Sequence, residues 1–380
     1  MADRRSKRPE ATPGGAGRAA RRGSDAAGGG RAVGFFAPSG FLPDPGVIDR
    51  AARFFAARGW RVSAGDSVFA RELRFAGDDG VRAADLQRLC TDRFLDAAVA
   101  ARGGYGLARL LGELDYAAIA RAALPIVGYS DFTAFNLAFL ARAGGVSFQG
   151  PAASDFHLPD PAREASADPD GARFNQDQFF AALGSAEHTL EFAGDGLAQL
   201  HEGLEVRGRL WGGNLAIVCS LLGTPYFPRV RGGILFLEDV NEPAYRIERF
   251  MMQLLLAGVL GAQKAVLLGD FTRIPAMATD NGYDLQAAWR AVAARCPVPL
   301  IGGLPFGHGS RRATLAVGAR AELSVRARSQ EEGADSSVPQ PARAQGAGTG
   351  AARDVTVQLR YRGHPTMRGM PGGTAQGAGS

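Results

Sequence analysis

Short apolar runs that end in a glycine- or proline-containing turn and lead into helical spacing constrain the fold of this chain most. The run "AVGFFAPSG" (32–40) ends in Pro-Ser-Gly, and helical spacing follows over 48–58. The run "LPIVGYS" (124–130) ends in a similar turn, and 81–101 has the apolar face of a helix. Strands that alternate with such helices predict a doubly wound parallel sheet. Functional residues in these sheets lie at the carboxyl ends of strands, so both turns are candidate sites.

Strand signals continue in the second half of the chain as "LEVRGRLWGGNL", "GGILFLEDV" and "KAVLLGDF", with helical spacing over 243–260 between the last two. The predicted fold class is α/β. The predicted units are a disordered basic tail (1–31), a doubly wound N-terminal domain (32–160), a crossover or linker (161–204), a smaller mixed α/β C-terminal domain (205–362) and a disordered tail (363–380). A disordered insertion (329–353) is expected to divide a hairpin of two strand-like runs, 319–326 and 354–361.

Composition excludes several classes of protein. The chain has 380 residues and a net charge of +5, and eight Arg or Lys against three acids in residues 1–31 account for the whole excess. The rest is neutral on balance, which argues against nucleic-acid binding, although the tail alone could bind an anionic surface. No run approaches the roughly 20 apolar residues of a membrane span. Three cysteines without CxxC spacing indicate a reducing compartment and no zinc.

Ser130, in "GYSD", follows an apolar run and a glycine, which can place its hydroxyl at the mouth of a pocket. The pattern lacks the second glycine of the G-x-S-x-G nucleophile elbow. Serine is also a favoured helix N-cap. This stretch alone therefore leaves a nucleophile and a cap as open alternatives.

A serine nucleophile needs a base and a carboxylate that orients it. His308 is the best of the five histidines because it lies between glycines in the loop "GGLPFGHGS"; a surface loop residue is the alternative. The run "GGILFLEDV" delivers Glu238 and Asp239 together. Neighbouring strand residues point to opposite faces, so only one of them is expected to enter a site. Asp239 could instead cap the helix that follows.

The glycines of "ARGGYG" (101–106) let backbone N–H groups approach a ligand closely, which suits an oxyanion hole or a phosphate. The motif is too short for the dinucleotide fingerprint and does not follow the first strand. A nicotinamide site is therefore not predicted.

Together, segments from about residue 32 to 325 resemble the LD-carboxypeptidase family of serine peptidases, in order. They include "ARGGYGLARLLGELDY", "PIVGYSDFTAF", "LWGGNL", "ILFLEDVNEPAYRIERFMMQL" and "GLPFGHG". The resemblance implies an α/β N-terminal domain, a smaller mixed C-terminal domain and an active site in the groove between them. It also implies a cytoplasmic homodimer that removes the terminal D-alanine from a murein tetrapeptide without a metal or other cofactor.

By the same resemblance, Ser130 is the nucleophile, Glu238 the orienting acid and His308 the base. The N–H groups of Gly104 and Asp131 would form the oxyanion hole. Because the serine lies in the first half of the chain and the acid and base in the second, the triad would assemble only when the two domains close on each other.

Substrate recognition is less fixed than the reaction class. A zwitterionic substrate requires a cation, for which Arg102 and Arg246 are candidates, and Arg102 could equally be a structural ion-pair partner. The family usually has histidine where this chain has Gln149, and aspartate where "YRIER" has Glu248.

Two alternative functions remain open. A family relative that hydrolyses peptide–nucleotide antibiotics would need an aromatic platform for a base. Trp211 beside a Gly-Gly turn is the candidate, with core packing as its alternative. The other alternative is a peptide-binding protein that keeps the fold without turnover.

Overall fold

The computed structural model describes residues 30–44, 46–159, 168–328 and 354–368. The predicted insertion at 329–353 and the predicted tails at 1–29 and 369–380 lie outside the described residues. Two β-sheets and the helices that connect their strands make up the described part of the chain. The predicted α/β fold class is confirmed.

Strands and helices alternate along most of the chain. The strands are β1 (Ala32–Phe36), β2 (Arg61–Ala64), β3 (Ala97–Ala100), β4 (Ile126–Gly128), β5 (Ser147–Gln149), β6 (Glu187–Ala193), β7 (Glu205–Asn214), β8 (Ile234–Val240), β9 (Ala265–Thr272), β10 (Leu300–Ile301), β11 (Leu315–Val317), β12 (Arg320–Ala327) and β13 (Val355–Arg362). The α-helices are α1 (Val47–Ala56), α2 (Asp79–Cys90), α3 (Tyr116–Ala122), α4 (Thr133–Ala143), α5 (Pro169–Gly184), α6 (Gly196–Gln199), α7 (Leu215–Ser220), α8 (Ala244–Leu256) and α9 (Leu285–Ala293).

The first sheet has six strands in the order β11-β5-β4-β3-β1-β2. Strands β1 to β5 are parallel, whereas β11 pairs antiparallel with β5. Strand β1 is apolar and buried along its whole length, which is typical of a parallel sheet covered on both faces. Because the strands are parallel, the loops that follow β1, β3 and β4 lie at one edge of the sheet.

The second sheet has seven strands in the order β10-β9-β8-β7-β12-β13-β6. Strands β7 to β10 are parallel, and β7, β12, β13 and β6 are antiparallel. Strands β12 and β13 pair from Arg320↔Arg362 to Ala327↔Val355. The predicted hairpin on either side of the insertion is therefore confirmed.

The helical zone predicted over 81–101 is wrong at its end. Helix α2 stops at Cys90, and β3 follows in the middle of the first sheet. The sequence of β3, "AAVA", is short and rich in the strongest helix former, so it resembles a continuation of the helix. Strand β3 matters for function because it delivers the glycine loop that follows it.

The chain does cross from the first sheet to the second within the predicted crossover or linker (161–204), but its described residues form α5 and β6 and not an unstructured linker. Phe179 of α5 packs against Phe156 with ring centroids 4.9 Å apart, so this helix belongs to the core of the first sheet. Strand β6 pairs with β13 and alternates between exposed and buried positions. The polar side chains on its exposed face explain why the segment reads as a linker.

The C-terminal tail predicted from residue 363 begins too early. His364 is buried, and its Nε2 lies 3.0 Å from the Ala182 carbonyl oxygen and 2.9 Å from that of Ser185. Met367 is buried as well. The chain is therefore packed onto the end of α5 as far as Met367, whose backbone N–H donates to the Leu183 carbonyl at 2.8 Å, and Arg368 donates to the carbonyls of Arg93 and Leu95.

None of the helices in the described ranges combines the length and the apolar character that crossing a membrane requires.

Candidate active site

The carboxyl ends of the two sets of parallel strands meet at one place. The Tyr129 ring, directly after β4, lies 5.1 Å from the His308 ring in the loop after β10. The backbone N–H of Asn214, at the end of β7, donates to Thr133 Oγ1 at 3.0 Å. This is the region of an open α/β sheet in which ligands bind.

Ser130 has a left-handed backbone, with φ of +62°. This conformation costs an L-residue roughly 1–2 kcal/mol, and strain of this kind concentrates at functional sites. Ser130 begins the 3-10 helix Ser130–Phe132, for which Tyr129 is the N-cap and which leads into α4. The N-cap alternative for Ser130 therefore fails. The strand–turn–helix geometry resembles that of a nucleophile elbow.

The glycine loop after β3 (residues 101–106) lies in close contact with Ser130. A Cβ on Gly103 would lie 2.7 Å from Ser130 Cβ and 2.9 Å from its Oγ, so a larger residue does not fit without movement. The Gly103 carbonyl accepts a hydrogen bond from Gly40 N at 3.2 Å, which joins the loops after β1 and β3. Gly104 has φ of +115°, which favours glycine. The sequence motif thus corresponds to a close backbone approach.

Asp131 ties three loops together through its side chain. Its carboxylate accepts from Ser39 Oγ at 2.6 Å and from Leu107 N at 3.0 Å, after β1 and β3 respectively. Burial raises the pKa of Asp131, and these hydrogen bonds oppose that rise. Its backbone N–H lies in the first turn of a helix, where such groups lack an intrahelical acceptor. The amide predicted for an oxyanion hole is therefore held by a fixed side chain.

The acid and the base predicted from the sequence are in contact. Glu238 Oε2 lies 2.7 Å from His308 Nδ1, and the Glu238 side chain is fully buried. Its other oxygen, Oε1, accepts from Asn214 Nδ2 at 3.2 Å. The contact engages Nδ1 of the imidazole and leaves Nε2 for a reacting proton. The His308 side chain is 16% exposed, so a ligand can reach it.

Asp239 makes no hydrogen bond to His308. The strict alternation expected of the strand is broken by a register shift between Leu237 and Asp239, and Asp239 reaches the same Asn214 amide as Glu238. Its carboxylate accepts from Asn214 Nδ2 at 2.9 Å and from Ala216 N at 2.9 Å. It thus binds the first turn of α7, which precedes it in the chain, and not the helix that follows it. Burial raises the pKa of Asp239 to about 6, with the Glu238 charge adding to the rise.

The two predicted cations occupy different surroundings. The Arg102 guanidinium donates to the Phe41 carbonyl and lies beside Gly40, next to the loops that touch Ser130. Arg246 Nε lies 2.8 Å from Glu242 Oε2, so its charge is already paired. Arg102 is consequently the better placed of the two to receive an anion.

The structure places Trp211 in the core. The side chain has no exposed surface, its Nε1 donates to Gln263 Oε1 at 2.9 Å, and its ring packs edge-on against Phe227. Its candidacy as an aromatic platform for a base is therefore wrong, because no ligand can reach the ring. Its position on β7, inside the second sheet, accounts for its burial.

Gln149 and Glu248, the two residues that differ from the family pattern, both make side-chain hydrogen bonds. Gln149 is buried where the two sheets meet, and its Nε2 donates to Thr133 Oγ1 at 2.8 Å and to Asn136 Oδ1 at 3.1 Å. Glu248, on α8, accepts a hydrogen bond from the Tyr283 hydroxyl. Neither makes a hydrogen bond with Ser130, Glu238 or His308.

Two charged residues beside His308 were not singled out from the sequence. Asp270 lies near the carboxyl end of β9, between the strands that carry Glu238 and precede His308. Burial, with the charge of Glu238, raises its pKa to about 6. Arg312 lies on the His308 loop, and its guanidinium carbon stands 3.8 Å from the centre of the Tyr129 ring. The only sequence signals were a carboxylate at a strand end in "LGDF" and an arginine pair after "GHG".

The arrangement contains the parts of a covalent acyl-transfer site. It combines a strained serine, a histidine held by a buried carboxylate and a glycine loop against the serine. Among the described residues, Ser130 Oγ makes no hydrogen bond to the His308 ring, and the two residues approach through Tyr129. Catalytic hydrogen bonds of this kind are often long without substrate.

Comparison with protein families gives two matches that together cover most of the described chain. Residues 33–150 match the LD-carboxypeptidase N-terminal domain, and residues 207–323 match the LD-carboxypeptidase C-terminal domain. The first match contains Ser130 and the glycine loop, and the second contains Glu238 and His308.

Similar individual proteins are also carboxypeptidases by name, or share the fold. A putative carboxypeptidase of Streptomyces coelicolor is 36% identical over 305 residues, which cover 78% of this chain and 91% of the relative. The crystal structure of a muramoyltetrapeptide carboxypeptidase from Oxalobacter formigenes superposes with a TM-score of 0.71 at 33% identity, covering 88% of this chain and all of that one. A microcin self-immunity protein in complex with aspartyl sulfamoyl adenosine has a TM-score of 0.67 at 22% identity, covering 78% and 93%, and shares the fold.

Proposed function

Because this chain belongs to the LD-carboxypeptidase family, we propose that it is a serine carboxypeptidase that removes the terminal D-alanine from murein tetrapeptides. Relatives named as carboxypeptidases support a peptidase. The name of the Oxalobacter formigenes protein, at 33% identity, supports the substrate class. The observation that carries the proposal is the 2.7 Å contact between Glu238 Oε2 and His308 Nδ1, beside a serine in a left-handed turn.

The proposed mechanism assigns each group one task. His308 Nε2 takes the proton of Ser130, and Oγ attacks the carbonyl carbon before the terminal D-residue. The N–H groups of Gly104 and Asp131 stabilise the oxyanion. His308 then protonates the departing amine, and water attacks the acyl-enzyme while His308 acts as base again. Glu238 holds Nδ1 and stabilises the imidazolium.

Substrate binding is proposed to use Arg102. Its guanidinium lies beside the loops that touch Ser130, and a planar guanidinium suits a terminal carboxylate. We retain the two-domain division with the site between the domains. The first domain comprises the six-stranded sheet, which includes β11, together with α5, and the second comprises the seven-stranded sheet.

The family also leads us to propose a homodimer in the cytoplasm. Sedimentation velocity of the purified protein tests the first point, and a single monomeric species over the working concentration range would contradict it. Fractionation of cells that express the chain tests the second, and the protein in the extracellular or envelope fraction would contradict it.

A substrate of the peptide–nucleotide type is the alternative within the same fold. No aromatic platform for a base supports this substrate, because Trp211, the candidate platform, is buried. The likeness to the microcin self-immunity protein concerns the fold. This substrate is therefore a comparison in the experiment and not a second proposal.

The test is mass spectrometry of a murein tetrapeptide that ends in D-alanine after incubation with the protein. We expect the wild type to release one alanine and Ser130→Ala to release none. Ser220→Ala, which changes an exposed serine on α7, is the matched control and should match the wild type. Release by Ser130→Ala would exclude the nucleophile. No release by the wild type would exclude the substrate, and cleavage of an aminoacyl sulfamoyl nucleoside instead would favour the alternative.

A further inference from the structure

Arg312 occupies a buried position between the two halves of the site. It lies on the loop that carries His308, and its side chain is 7% exposed. Its Nη1 donates to Oδ1 and Oδ2 of Asp155, both at 2.9 Å. Its Nε donates to the Gly307 carbonyl at 3.0 Å. One guanidinium thus connects the His308 loop to the 3-10 helix Ala153–Asp155, which follows the last parallel strand of the first sheet.

The same guanidinium stacks on the residue that precedes the serine. Its central carbon lies 3.8 Å from the centre of the Tyr129 ring, within the range of a cation–π contact. The Tyr129 ring also touches the His308 ring, with centroids 5.1 Å apart. Arg312 therefore touches the neighbour of Ser130 and the neighbour of His308 at once.

A third residue closes the network. Asn175 on α5 donates from Nδ2 to Asp155 Oδ1 at 2.9 Å and to the Ser310 carbonyl at 3.1 Å. Its Oδ1 accepts the backbone N–H of Arg312. The side chain and the backbone of Arg312 are both held in a buried region, where charge-assisted hydrogen bonds are stronger than in water.

We propose that Arg312 is a positioning residue that sets the separation between Ser130 and His308, through Tyr129 on one side and Gly307 on the other. The proposal rests on the proposed function for its kinetic test but not for its spectroscopic one. Arg312 does not touch the reacting atoms. Its planar fork bridges two sheets that carry different members of the site, and this task needs a guanidinium and not merely a positive charge.

The test is Arg312→Lys, which keeps the charge and loses the fork and the planar stack. With the tetrapeptide, we expect kcat to fall about 10- to 100-fold, because small misplacements of reacting groups have effects of this size. KM should change less than about threefold, since ground-state binding is untouched. Arg311→Lys, at the neighbouring and partly exposed arginine, is the matched control and should match the wild type. Equal kcat values for Arg312→Lys and the wild type would overturn the proposal, even if the melting temperature fell.

A second readout separates the failure of this proposal from that of the proposed function. In protein with isotope-labelled histidine, the ring signals of His308 are assigned by their loss in His308→Gln. Arg312→Lys should shift them and leave those of His201 in place. Unchanged His308 signals would overturn the positioning role whatever the activity. If Arg312→Lys does not fold, Asp155→Asn weakens the pairing with Arg312 Nη1, keeps the Tyr129 ring beside His308 and is expected to shift the same signals.

Discussion

Glu238 Oε2 lies 2.7 Å from Nδ1 of His308, and its carboxylate is fully buried. The two residues lie at the same edge of one sheet, because β8 and β10 both run parallel to β9. The chain therefore brings an acid and a base together from positions that are distant in sequence.

Glu238→Gln should lower kcat on the tetrapeptide by about 10³- to 10⁴-fold, because the amide neither stabilises an imidazolium nor fixes the tautomer. The steady-state rate is the measurement, with the melting temperature recorded beside it. Glu113→Gln, at an exposed position before α3, is the matched control. A kcat within about tenfold of the wild type would remove Glu238 from the proposed triad.

Gly103→Ala should lower kcat strongly while the protein still folds. The new Cβ would lie 2.7 Å from Ser130 Cβ, so the serine must move. We expect kcat to fall about 100-fold, as misplacement of a nucleophile predicts. Gly196→Ala, whose Cβ would meet nothing within 4 Å, is the control. Full activity in Gly103→Ala would show that the glycine loop does not constrain the nucleophile.

Ser130→Gly should be more stable than Ser130→Ala, although both lack the nucleophile. Ser130 has φ of +62°, and glycine relieves a strain of roughly 1–2 kcal/mol, partly offset by the larger unfolded-state entropy of glycine. Urea unfolding measures the difference. Ala123→Gly, at another left-handed residue with φ of +50°, should show a similar gain over the wild type. If Ser130→Gly is no more stable than Ser130→Ala, the backbone at Ser130 is not strained.

Asn214→Asp should destabilise the protein most at high pH. Asn214 Nδ2 donates to both Glu238 and Asp239, and the substitution places a third carboxylate between them. Burial already raises the pKa of Asp239 to about 6, and the new negative charge beside it raises that pKa further. Protonation therefore favours the folded state, and the loss of melting temperature relative to wild type should be greater at pH 8 than at pH 5. A loss that does not depend on pH would contradict the contact.

Asp270→Asn should stabilise the protein at pH 8 and not at pH 4. Burial raises the pKa of Asp270 to about 6 in the folded state, above its ordinary value of 3.8. The stability that its proton contributes is complete below the ordinary value and is lost as pH rises through about 6. Above that pH the ionised carboxylate opposes folding, and asparagine removes this cost. Melting curves at both pH values, with the exposed Asp170→Asn as control, measure it. A lower melting temperature for Asp270→Asn at pH 8 would contradict the burial argument.

The local sequence pattern was sufficient to predict much of the fold and part of the candidate site. The runs around β1, β4, β8 and β9 were predicted because their apolar residues are contiguous and end in turns. Strand β3 was missed because alanines favour a helix, and β6 because its exposed face is polar. The Glu238–His308 contact agrees with a motif that the sequence carries. The role of Arg312 could not be predicted from the sequence, because its partners Tyr129 and Asp155 are distant in the chain and come together only in the folded structure.

The position of β11 determines how the protein unfolds. The loop that carries His308 begins after β10 in the second sheet and ends at β11, which pairs with β5 in the first sheet. Helix α5 packs on the first core and leads directly into β6 of the second sheet. Neither sheet can melt alone without losing a strand or a packed helix to the other. Calorimetry should therefore show one cooperative transition with equal van't Hoff and calorimetric enthalpies, as for a single folding unit, although the chain contains two sheets.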